Sequence, residues 1–251
     1  MTTSTLTPSQ AATFAFSQGE LNLTHFSETF SIIEQQNHGD TSPVTKGGIV
    51  EAQNIHALIN VTDQPLSAST SALSQAFGNT KDYLGTAKTQ AKIIGNFDVD
   101  TGKVFSFEFS ATLDLQTRIA APKVEKAKAS GDISFKLFDT TDIPQQNLPD
   151  FLASLLSDDT TNKIQKSALD FFSLTGNLNT LGNNDSIAKE KSQNVTITSE
   201  DKKFSVGGTQ EFAKASVKGS FKRSFAKKTN LTLIALRRSQ AVVTASEHPN
   251  T

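Results

Sequence analysis

With 251 residues, 36% hydrophobic and 20% charged, the chain is long and apolar enough to bury a core, which excludes wholesale disorder. It has no cysteine, which excludes disulfides, thiolate metal centres and cysteine nucleophiles. Net charge is −1, but residues 1–120 carry 6 basic and 11 acidic groups whereas residues 202–251 carry 10 and 2, an asymmetry that can steer an anionic partner or support head-to-tail self-association.

From the N-terminus, residues 1–12 read as a flexible arm, and Met1–Phe14 shows neither the basic nor the apolar region of a signal peptide. Strand candidates follow at Thr13–Ser17, Leu21–Ile33, Ile49–Thr62, Leu66–Phe77 and Thr86–Ile94. The segment Asp98-Val99-Asp100-Thr101-Gly102 begins like a calcium loop, making Asp98 and Asp100 the candidate metal ligands. Position 12 of such a loop, where a glutamate is required, is Phe109, so a helix-flanked calcium loop is excluded and a turn entering a strand is favoured.

From Phe105 to Ile119 every odd position except Thr117 is apolar and every even position polar. Ala127, Ala129, Gly131, Ile133, Phe135 and Leu137 repeat the alternation after a turn containing Pro122. Period 2 of this length means half-buried strands, and the short connection predicts an antiparallel hairpin. Pro149–Leu169 carries a helix start and helical spacing, predicting one or two short helices, and Gly176–Asp185 reads as loop. Val195–Thr198 is a weaker strand candidate.

Alternation returns at Ala213–Phe225, broken on its apolar side by Arg223, and is followed by the aliphatic run Leu231–Thr244 and a tail at 245–251. Lys214, Lys218 and Lys222 fall on one face of this strand, neighbours about 13 Å apart at ~3.3 Å per residue. They are the candidate partner-binding residues, for an acidic polysaccharide or the acidic half of another copy. A solvated strand face is the plainer reading, and lysines also protect an edge strand. Nucleic acid is disfavoured because no aromatic residues interleave with them.

Together these elements predict an all-β fold: a two-sheet antiparallel sandwich or jelly roll of about nine or ten strands in one domain, with short helices near 149–169. Phe supplies 18 of the aromatic residues against one Tyr and no Trp, which suits a dry core and argues against a sugar- or base-stacking platform, where Trp or Tyr is usually employed as well. His25, His38, His56 and His248 show no metal-ligand spacing. There is no nucleophile elbow, P-loop or dinucleotide fingerprint, and no apolar run nears the ~20 residues that span a bilayer. No catalytic residue is assigned and no cofactor beyond Ca²⁺ is suggested.

Asn96–Ile119, Ser130–Thr141, Leu169–Asp185 and Phe212–Thr244 resemble the PEP-CTERM-type secreted proteins of photosynthetic bacteria. The resemblance implies an exported β-rich protein of the cell surface or extracellular matrix, with no enzymatic residues to carry over. At the C-terminus Glu247-His248-Pro249 stands where such proteins have Pro-Glu-Pro, an apolar helix and basic residues. The functional expectation is a non-enzymatic structural, adhesive or matrix protein. The alternatives are a carbohydrate- or calcium-dependent binding module, and a filament subunit whose Thr13–Ser17 arm adds a strand to a neighbour.

Overall fold

Alternating side chains turn most of the chain into strand. The computed structural model describes residues 12–46, 49–63, 66–80, 82–151, 168–180, 182 and 184–246. Sheet A is built from β1 (Thr13–Thr24), β3 (Ile49–Asp63), β4 (Leu66–Asn79), β6 (Val104–Arg118), β10 (Val195–Ser205) and β11 (Gln210–Ser224). Sheet B is built from β2 (Phe30–Thr45), β5 (Tyr83–Val99), β7 (Glu125–Asp139), β8 (Asp170–Asn179), β9 (Ser186–Lys191) and β12 (Thr229–Ala245). The strand orders are β10-β11-β6-β1-β4-β3 and β2-β5-β12-β7-β8-β9, and the sheets pack face to face as an antiparallel sandwich. Among the described residues no helix is long and apolar enough to cross a membrane.

Among the described residues twelve strands exceed the nine or ten expected, because polar strands escape a hydrophobic reading. The C-terminal part of β2, Gln35–Thr45, is exposed along its length. The expected Leu21–Ile33 strand is interrupted at 25–29, where His25 has a positive φ of 54°. Thr13–Ser17 opens β1, which pairs with β4 on one side and β6 on the other. Gly176–Asn179, expected as loop, belongs to β8. A 3-10 turn at Gln145–Asn147 leads into helical residues 148–151, while 152–167 lie outside the described residues, as do 1–11 of the expected arm and 247–251 of the tail.

The Phe105–Phe138 hairpin needs correction. β6 hydrogen-bonds to β1 and β11, and β7 to β12 and β8. The two strands therefore face one another across the core instead of pairing within one sheet. Their link, residues 119–124, is long enough to cross the ~10 Å between packed sheets. The Glu125 carboxylate stabilises it by accepting the Ala120 and Ala121 N–H groups at 2.8 and 2.7 Å.

Because both strands turn their apolar side inward, phenylalanines from the two sheets interlock. Phe109 lies 5.2 Å from Phe135 and 4.6 Å from Phe172, and Phe107 lies 5.1 Å from Phe135, centroid to centroid. A second apolar cluster at the other end contains Ala15, Tyr83, Ile119 and Val243. Between the clusters runs a polar layer in which Ser74 Oγ meets Ser239 Oγ at 2.7 Å and Thr89 Oγ1 at 2.9 Å. Arg237, wholly buried, crosses this layer where Gly19 and Gly131 leave room for its guanidinium.

The arginine that broke the β11 alternation is explained by a link between sheets. Arg223 Nη1 donates to Asp170 Oδ2 at 2.8 Å, and the Asp170 carboxylate also accepts from Ser192 Oγ and Asn194 Nδ2. The Asp170 side chain is 1% exposed, that of Arg223 31%. Arg223→Ala should cost about 3 kcal/mol by leaving a buried carboxylate without its cation. Urea unfolding checks this; a loss under about 0.5 kcal/mol would mean that Ser192 and Asn194 satisfy the carboxylate alone.

Candidate functional site

The outer face of sheet A is set by the register of its strands. Leu21 and Leu23 of β1 are core residues, so period 2 carries Thr13, Ala15 and Ser17 inward, all fully buried. Phe14 and Phe16 are thereby driven to the outer face, where they are half-buried with ring centroids 6.3 Å apart. On β11, Ala213, Ala215 and Val217 take the core side, and Phe212 points outward, 38% exposed.

Strand register brings these rings together. Phe212 stands opposite Gln116 of β6, and Gln116 stands opposite Phe16 of β1. A phenyl–amide–phenyl row thus crosses three strands, its ends roughly 10 Å apart at ~4.8 Å per strand. One row further, Arg118 lies between Gln210 and Phe14. Phe14, Gln116, Arg118, Gln210 and Phe212 line a groove of about 530 Å³.

The sequence-predicted lysines share this face. Lys214, Lys218 and Lys222 are all exposed on its outer side, opposite Asp114, Ser110 and Ser106 of β6. Lys214 Nζ makes a 2.7 Å ion pair with Asp114 Oδ2, and Lys203 of β10 stands directly across from it. Lys218 and Lys222 make no ion pair among the described residues and sit among serines. Gln18, Asp114, Asp201, Lys203 and Lys214 line a second groove, about 360 Å³, one row from the first.

Asp98 and Asp100 lie elsewhere, both exposed. Asp98 is on the outer side of β5, opposite Asn230, and Asp100 closes a turn by accepting the Lys103 N–H at 3.1 Å. Gly102, with φ of 75°, supplies the left-handed residue of that turn. Among the described residues, no group of three His, Cys, Asp or Glu side chains is arranged to hold a metal ion.

No protein-family model, curated protein or solved structure matches this chain. Its chemistry is therefore read from its own surface. Exposed phenyl faces stack on flat apolar surfaces. The amides of Gln116 and Gln210 both donate and accept hydrogen bonds, while Arg118 and the lysines donate to anions. The sequence reading found the lysines but not the rings. A signal was present: in Phe14-Ala15-Phe16 the large residues flank the small one, and the Leu21 and Leu23 register already assigns the inside to Ala15.

Proposed function

We propose that this is a non-enzymatic β-sandwich of the cell surface or extracellular matrix that adheres to an acidic polysaccharide along the outer face of sheet A. The observation that carries the reading is the outward row Phe16–Gln116–Phe212, continuous with the lysine stripe. Phenyl rings offer stacking surfaces to pyranose faces, glutamine amides satisfy hydroxyls, and Lys218 and Lys222 meet carboxylates. A row roughly 10 Å long spans about two pyranose units.

Electrophoresis through gels containing alginate tests this. The protein should be retarded, less so as salt rises and screens the lysines. Phe16→Ala/Phe212→Ala should weaken retention at least tenfold, since each lost stacking contact is worth about 1 kcal/mol, and Lys218→Glu/Lys222→Glu should weaken it most at low salt. All four side chains point outward, so the folding transitions should stay close to that of the parent. Unretarded parent protein across a panel of acidic polysaccharides would refute the reading, as would reproducible turnover of any of them.

A further inference from the structure

The opposite side of the sandwich is also shaped. On the outer face of sheet B, register sets His38, Gln90, Arg238, Asp132 and Thr175 side by side across β2, β5, β12, β7 and β8. The adjoining row contains Asp40, Lys88, Gln240 and Ser130. These residues line a groove of about 630 Å³. Beyond it the same face turns apolar: Ile94, Phe138 and Ile234 are roofed by Leu148, Phe151 and Ala168.

Three properties define what this groove can hold. Its charged lining balances, with Asp40 and Asp132 against Lys88 and Arg238, so a free anion or cation would meet its own sign beside its counter-charge. Among the described residues its lining holds no phenylalanine, tyrosine, tryptophan or branched aliphatic side chain, which gives an apolar peptide side chain little to bury against. Donors and acceptors alternate along the row, and Arg238 Nε already orients Gln90 by donating to Oε1 at 3.1 Å. Groups that both donate and accept match such a row best, and vicinal hydroxyls can bridge a carboxylate and a neighbouring guanidinium.

We propose that the outer face of sheet B is a second saccharide site, for an uncharged polyhydroxylated chain, with the Asp132 carboxylate and Arg238 guanidinium as its central contacts. With the first face reading the acidic polysaccharide, the sandwich bridges two different glycans from opposite sides; the bridging rests on the function proposed above, whereas the second site stands without it. Burial raises the Asp132 carboxyl pKa and lowers that of the Lys136 ammonium, with Arg238, Arg237 and Lys136 opposing the rise at Asp132. The carboxylate is thus partly stripped of water before a ligand arrives, which strengthens the hydrogen bonds it accepts.

Titration calorimetry of the full chain with laminarin, a neutral glucan, and with alginate tests the proposal. Laminarin should bind to protein already saturated with alginate. Asp132→Asn should weaken laminarin at least tenfold and leave alginate unchanged, and the more exposed His38→Ala/Gln90→Ala pair should weaken it severalfold should Asp132→Asn fold poorly. Phe16→Ala/Phe212→Ala should do the reverse. Absence of laminarin binding by the parent protein overturns the second site even where alginate binds, as does competition between the two or unchanged laminarin affinity in both groove variants. Laminarin binding without alginate binding upholds this site and rejects the function assigned to sheet A.

Discussion

Phe135→Ala is expected to lower stability by about 4 kcal/mol, within the range for emptying a fully buried phenylalanine site. The side chain comes from β7 of sheet B and ends among Phe107 and Phe109 of sheet A and Phe172 of its own sheet, with centroids 5.1 to 5.7 Å away. Its removal strips contacts from both layers at once, and the rigid strands on either side cannot collapse into the space. For a domain of this size the change corresponds to roughly 8–16 °C in Tm. Calorimetric or urea unfolding checks it. A loss below about 1.5 kcal/mol would show that the rings repack, and Phe135→Leu should recover about half the loss by refilling most of the volume.

The sequence carried the strands of that core but not their partners. Period 2 through Phe105–Ile119 and Ala127–Leu137 identified β6 and β7 and the correct inward residues, Thr117 included: it is buried, and its hydroxyl donates to Glu211 Oε2 at 3.1 Å. A hydrogen-bonded hairpin and an arch joining two sheets give the same alternation, since both turn one apolar face to the core. Only the connection differs, and a six-residue link fits either. The polar half of β2 and the glycine-containing end of β8 were illegible because backbone pairing with β5 and β7 makes them strand, not their own side chains.

Legibility of the candidate sites followed the same division. Lys214, Lys218 and Lys222 could be placed on one face by counting alone. The row Phe16–Gln116–Phe212 draws on strands separated by about a hundred positions at each step, and the sheet B row draws on five strands. Such juxtapositions exist only once strand order is known. Phenylalanine abundance pointed to a dry core, which most of the rings fill, but it did not single out Phe14, Phe16 and Phe212 on the outer face.

Arg237→Met is expected to raise stability at neutral pH by about 2 kcal/mol, in the range seen when buried charges give way to apolar side chains of similar length. Arg237 Nη1 donates to the Asp132 carbonyl at 3.2 Å. Among the described residues Nε and Nη2 have no hydrogen-bond partner. Burial lowers the guanidinium pKa well below its ordinary value, to about 9, and Asp132 opposes this only in part. Below about pH 9 the group is charged in folded and unfolded chains alike, so the fold bears the whole desolvation cost. From about pH 9 up to the ordinary guanidinium range the unfolded chain holds the proton more tightly, so this residue's contribution to stability rises with pH across that window. The advantage of Arg237→Met should accordingly be greatest near neutrality and shrink above pH 9. Unfolding free energies of the two proteins at several pH values check both statements, and a methionine variant less stable by more than about 1 kcal/mol at pH 7 would refute the first. The arginine also places positive charge behind the Asp132 carboxylate, so its removal should raise that carboxyl's pKa further and weaken laminarin binding while the fold grows more stable. Opposite movement of stability and affinity would identify Arg237 as a positioning residue of the sheet B groove, maintained at the expense of the core.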